Sequence, residues 1–138
     1  MESYMQMLTD CAKKAAVEAA KMGTADKNRG LLAVADELTA QQEMILEENA
    51  KALEAAKEKG IKQSLIDRLA LSEKRIADMA EGLRQIAALD DPGGEVLYMK
   101  TRPNGLRIGK KRGPLGVVGI IYESRPNVTA DAFGLCFK

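Results

Sequence analysis

Pro114-Leu-Gly-Val-Val-Gly-Ile-Ile-Tyr-Glu-Ser-Arg-Pro-Asn-Val-Thr-Ala-Asp-Ala-Phe-Gly-Leu-Cys-Phe-Lys138 decides how the rest of this sequence is read. Val117, Val118, Ile120 and Ile121 form a short β-branched run without alternation. Such a run suits a strand covered on both faces, as in a parallel sheet clad by helices. Ser124, Arg125, Pro126 and Asn127 break the pattern, and residues 128–137 read as a helix with Asp131 in its first turn. Strand, polar turn and helix make the first half of a βαβ unit, in which ligands gather at the strand's carboxyl end. No second strand pattern follows before Lys138. The expectation is therefore the front portion of a larger α/β fold.

Working backwards, Glu95 to Thr101 and Leu106 to Arg112 flank Arg102-Pro103-Asn104-Gly105. Asn-Gly between two extended runs predicts a hairpin, because both residues tolerate positive φ. Residues 100–112 carry six basic side chains and no acidic one. A phosphate or nucleic-acid patch is one reading. An edge ribbon guarded by its own charges is the other, and is preferred, since no stacking aromatics interleave the charges. A lone two-stranded hairpin is marginal in water, so this one needs a partner.

Residues 1–94 read as helices ended by the break Asp90-Asp91-Pro92-Gly93-Gly94. The spacing predicts a helix over 3–22 with Met5, Leu8, Ala12, Ala15, Ala19 and Met22 on its buried stripe. Thr24 should cap a second helix, 25–38, whose inner side includes Leu31, Leu32 and Ala35. Thr39 and Gln42 fit a capping box for a third, 40–59. A short helix over 63–70 and a longer one over 73–89, capped by Ser72, complete the set. Cys11 and Asn49 are expected as a small core residue and a satisfied structural side chain.

At 138 residues, 46% apolar and 30% charged, the chain is a single globular domain in size, with room for a modest core. A net charge of +1 gives no field for nucleic acid or membrane, so neither is expected as a partner. No stretch approaches the roughly 18 apolar residues of a membrane span, and no signal-peptide core opens the sequence. A cytoplasmic location is the default expectation. Two distant cysteines and no histidine argue against a disulfide framework, a metal site and any histidine-based triad.

The stretch from Pro114 to Ala132 closely resembles the glutamate-5-semialdehyde dehydrogenases, or γ-glutamyl phosphate reductases, of the aldehyde dehydrogenase superfamily. Glu123-Ser-Arg-Pro-Asn127 is its most specific part. Ala25-Asp-Lys-Asn28, Asp67-Arg-Leu69, Ala80-Glu-Gly-Leu-Arg84 and Arg102-Pro-Asn-Gly-Leu106 extend the resemblance over essentially the whole chain. It implies three parts: residues 1–94 as the helical start of the cofactor-binding domain, 95–113 as a hairpin oligomerisation element, and 114–138 as the first strand–turn–helix of the dinucleotide-binding sheet. This portion of the α/β fold is then mostly helical, and residues 95–112 join copies into a homo-oligomer.

The family's reaction reduces L-glutamyl 5-phosphate to L-glutamate 5-semialdehyde with NADPH, in proline biosynthesis. A cysteine thiolate attacks the acyl phosphate and hydride reduces the resulting thioacyl group. By the family pattern that cysteine lies beyond this stretch, and neither Cys11 nor Cys136 matches it. Asn127 matches the asparagine whose side-chain amide donates to the developing oxyanion. An Asn before a helix is also a natural N-cap, and that reading stands beside the catalytic one. Arg125 and Ser124 are implied substrate-binding residues, since a guanidinium fork suits carboxylate and phosphate alike, and an interdomain salt bridge is an equally good reading of Arg125. Tyr122 and Glu123 are candidates for the cofactor cleft. Ala52, Asp90, Gly93 and Gly113 depart from the family pattern, none of them within the Glu123–Ala132 string. The resemblance implies an enzyme portion, inactive as this chain alone. The alternative is a truncated, non-catalytic relative serving as an assembly or interaction module.

Overall fold

In a computed structural model, residues 2–123 and 125–138 are described. Among these residues six helices and one antiparallel hairpin run in the order α1 (Glu2–Ala19), α2 (Thr24–Ala40), α3 (Gln42–Glu58), α4 (Gln63–Leu69), α5 (Glu73–Ala88), β1 (Val96–Thr101), β2 (Arg107–Lys111) and α6 (Pro126–Phe137). The chain divides into two compact units, one of residues 1–24 with 90–119, the other of 25–89 with 120–138. Among the described residues no helix is long and apolar enough to cross a membrane.

The second unit carries the core. Leu31 and Ala35 on α2 meet Ala80, Leu83 and Ala87 on α5, with Val34, Leu38, Ile86 and Phe137 packed around them. Alanine at three of those five positions lets the helix backbones approach closely. Leu31, Ile76 and Leu83 are the largest fully buried side chains, each contributing roughly 1.5–3 kcal/mol of burial. Leu32, expected inside, is 42% exposed, because the buried arc of α2 takes Leu31 and Ala35 instead.

α6 packs along α5 through Ala130 and Gly134. A Cβ at Gly134 would stand 2.7 Å from Leu83 Cδ2 and 2.8 Å from Ile86 Cδ1, so any larger residue would force those methyl groups to shift. At the helix's far end Lys138 Nζ donates to Asn28 Oδ1 at 2.5 Å and to the Ala87 carbonyl at 3.0 Å. Lys27 Nζ donates to the Lys138 carbonyl at 2.8 Å.

The capping expectations divide. Ser72 Oγ accepts from the Arg75 amide at 3.2 Å, as the sequence predicts. The Thr39–Gln42 capping box does not form. α2 runs through Thr39, whose hydroxyl donates to the Ala35 carbonyl, and the Gln41 side chain makes no cap bond. The Gln41 amide bonds to Glu37 and its carbonyl to Ile45, so α2 and α3 are almost one helix, and helical continuity wins over the cap. Gly60 closes α3 at φ +66, with Gly60 bonding back to Lys57 and Ile61 to Ala56, the Schellman pattern.

Asn49 is buried between α3 and the α4–α5 turn, as a structural side chain. Its Nδ2 donates to the Leu69 carbonyl at 2.9 Å and its Oδ1 accepts from the Leu71 amide at 2.8 Å. Removing both bonds strands two backbone groups. Asn49→Ala is expected to cost about 2 kcal/mol or more, read as a lower urea midpoint at unchanged slope. A loss near zero means the turn finds other partners and the assignment fails.

In the first unit, α1 leaves its apolar stripe open: Met5 and Leu8 are half exposed and Cys11 is exposed. The core placement of Cys11 is thus corrected, since nothing in its own unit covers that face. Cys136 is exposed too, because Gly134 and Phe137 take the packed side of α6.

The hairpin pairs Thr101 with Arg107, Lys100 with Ile108 and Met99 with Gly109, and a bulge lies between Val96 and Tyr98. Its loop differs from the two-residue Asn-Gly turn. Gly105 bonds back to Arg102 at 2.9 Å and Arg102 to Leu106 at 2.8 Å, placing Pro103 and Asn104 at the corner and Gly105 after it at φ +83. Pro103 presets the first corner position, so only glycine needs the left-handed region. Both faces of the ribbon are exposed.

Residues 112–123 form no regular element. The strand expected over Val117–Ile121 is a correction at this level: the run is uncovered, with Ile121 fully exposed and Val117 and Val118 about half so. A strand is defined by its ladder, and among the described residues β1 and β2 pair only with each other. The helix after it forms from Pro126 rather than 128.

Candidate functional site

Within the second unit the start of α6 faces the α4–α5 turn across an open cleft of about 550 Å³. Arg68, Arg75 and Asp78 line one side, and Arg125, Asn127 and Asp131 the other. Leu71 and Met79 add an apolar share of the lining. With Asp67 beside them, three guanidinium groups and three carboxylates cancel, so the cleft is polar without a strong net field.

Arg125 is the N-cap residue of α6, extended at φ −135, and its side chain makes no cap bond. Pro126 follows at the first helical position, where its missing N–H costs nothing. Asn127 therefore falls at the second helical position, and the N-cap reading of it does not hold. Its Nδ2 donates to Asp131 Oδ2 at 3.2 Å, one turn along. An amide nitrogen carries two hydrogens, which leaves Asn127 one N–H for the cleft.

The other expected site residues lie elsewhere. Tyr122 is half exposed in the extended lead-in, and its hydroxyl hydrogen-bonds Thr129 Oγ1 at 2.6 Å. Glu123 is exposed beside it. Neither lines the cleft. Ser124 lies outside the described residues.

Arg68, Arg75 and Asp78 were not singled out from the sequence as site residues. Arg75 is committed to structure: its Nη1 donates to the carbonyls of Asp67, at 3.0 Å, and Ala70, holding the carboxyl end of α4. Asp67 accepts from Gln63 Nε2 at 2.8 Å. The side chains of Arg68, Asp78 and Arg125 make no hydrogen bond or ion pair with any described residue. The available signal was Asp67-Arg68-Leu69, a charged pair closing the short helix α4.

No protein-family model matches the chain. Known proteins do. The gamma-glutamyl phosphate reductase of Moorella thermoacetica is 61% identical over 127 residues, which is 92% of this chain and 30% of that protein. This chain is a relative of the gamma-glutamyl phosphate reductases. Solved structures of gamma-glutamyl phosphate reductase from Thermotoga maritima and Saccharomyces cerevisiae each match with a TM-score of 0.89. They are 41% and 32% identical, over 91% and 96% of this chain but only 30% and 34% of theirs. The chain thus spans about a third of the length of the gamma-glutamyl phosphate reductases it matches, as an N-terminal portion would. Its fold class follows theirs, an aldehyde dehydrogenase-like α/β fold of which this portion is mostly helical with a two-stranded hairpin.

Proposed function

We propose that this chain supplies the N-terminal portion of an NADPH-dependent reductase that converts L-glutamyl 5-phosphate to L-glutamate 5-semialdehyde in proline biosynthesis, in the cytoplasm. The observation that carries the reading is 61% identity to a gamma-glutamyl phosphate reductase along 92% of the chain. Its division of labour follows the three sequence parts: helices over 1–94, a hairpin over 95–113 that joins copies into a homo-oligomer, and the start of the dinucleotide-binding sheet over 114–138. The ribbon's exposed faces support the second role.

Asn127 donates its spare N–H to the oxygen that gains charge when the acyl carbon is attacked. Arg125, beside it and without a described partner, binds the phosphate or carboxylate of the substrate, with Ser124 contributing next to it. Tyr122 and Glu123 border the cofactor. An exposed carboxylate accepts from hydroxyls and repels phosphate, so Glu123 fits a ribose, and the phosphates belong to other residues. NADPH, when bound, supplies the hydride. Neither cysteine of this chain is assigned as the nucleophile.

The test follows NADP⁺ reduction with L-glutamate 5-semialdehyde and phosphate. The 138-residue chain should show no turnover. The same chain continued past Lys138 by the remaining sequence of a related reductase should turn over. Saturable activity from the short chain overturns the placement of the nucleophile. A folded but inactive fusion overturns the reductase reading and leaves the assembly module.

A further inference from the structure

We propose that the cleft between the α4–α5 turn and α6 binds the amino-acid head of the substrate, with Arg68 taking the α-carboxylate and Asp78 the α-ammonium group. The proposal rests on the reductase reading and adds to it the residues that select a free amino acid.

The argument is one of unspent charge. Seven charged or amide side chains line the two walls, and three of the charged ones are already engaged: Arg75 with the end of α4, Asp131 with Asn127, and Asp67 with Gln63. Arg68, Asp78 and Arg125 line the same cleft without any described partner. Two free guanidinium groups and one free carboxylate ask for a ligand with two anionic groups and one cationic group.

A simple phosphate or dicarboxylate would satisfy the arginines but set Asp78 against an anion. An amino acid with an acidic side chain uses all three. Arg125 adjoins Asn127 at the start of α6, so the acyl phosphate end belongs on that wall. Arg68 on α4 and Asp78 on α5 then face the amino-acid head. A guanidinium fork matches a carboxylate in geometry as well as charge, which an ammonium does not. Ordinary solvated surface charges are the alternative, and they predict no ligand preference.

The test is amide-resonance titration of the ¹⁵N-labelled 138-residue chain. L-Glutamate is the probe, its side-chain carboxylate standing for the acyl phosphate. Glutarate lacks the ammonium group, 4-aminobutyrate lacks the α-carboxylate, and inorganic phosphate lacks both. L-Glutamate should shift residues around Arg68, Asp78 and Arg125 and bind more tightly than the other three. Arg68→Gln should weaken L-glutamate and glutarate about tenfold, and Arg68→Lys should restore part of the loss. Asp78→Asn should weaken L-glutamate alone. Circular dichroism checks that each variant is folded.

Phosphate or glutarate binding as tightly as L-glutamate overturns the proposal, as does a response indifferent to both substitutions or no response at all from the folded chain. The fusion assay answers separately. Turnover with no L-glutamate response at this cleft removes the head-group assignment and leaves the reductase. A cleft response without turnover does the reverse.

Discussion

Asn127→Ala is expected to lower kcat of the fused enzyme by about 10²–10³ with little change in KM. An oxyanion donor acts where charge develops, so its loss falls on the transition state and spares substrate binding. Asn127→Asp should be as damaging, because the isosteric carboxylate has the shape but offers no N–H and adds a charge of the wrong sign. Stability gives the control. Asn127 is exposed at the second position of α6, and among the described residues its side chain bonds only to Asp131, one turn along. An i,i+4 pair of that kind contributes about 0.2–0.5 kcal/mol. A large drop in melting temperature would point to a structural role and sink the catalytic one. An unchanged kcat would do so more directly.

The second large effect is on packing. Leu83 is 1% exposed and lies where α5 meets both α2 and α6. Leu83→Ala removes buried methyl groups and leaves a gap that rigid helices fill only in part. The expected loss is about 3 kcal/mol, a shift of roughly 10 °C or more in the melting temperature of a unit this small. Gly134→Ala should also destabilise, because its Cβ would meet Leu83 Cδ2 at 2.7 Å and Ile86 Cδ1 at 2.8 Å. The gain in helix propensity, about 1 kcal/mol, offsets part of that clash. In the Leu83→Ala background one of the two clashing groups is gone. Gly134→Ala should then be less costly than in the native chain. A thermal-melt double-mutant cycle measures the difference, and strict additivity would show that the two residues do not touch as described.

How legible these features were depends on how local their causes are. Ser72 and Asn104-Gly105 announce a cap and a hairpin from their own chemistry, and both features formed. Thr39 and Gln42 carry an equally good cap signal, yet α2 ran through them. The reason lies outside the motif: Gln41 bonds both backward to Glu37 and forward to Ile45, so the helix gains more by continuing than by stopping. Cys11 and Leu32 were misplaced for a related reason. Helical spacing names a stripe, but which edge of it is covered depends on the neighbour across the gap. The site shows the same division. Arg125 and Asn127 were visible because the polar turn before α6 breaks an apolar run. Arg68 and Asp78 were not, because α4 and α5 bring them to that turn only in three dimensions, from positions separated by a helix start.

The uncovered run from Val117 to Ile121 also has a consequence in time. Synthesis proceeds from the N-terminus at about 5–20 residues per second. In any longer protein that carries this chain, the run leaves the ribosome before any later sequence that could cover it has been made. Each further hundred residues keeps those four β-branched side chains in water for roughly 5–20 seconds, at that same rate of elongation. Over that interval the run is open to association with other chains, and the length of the exposure is set by how much sequence follows.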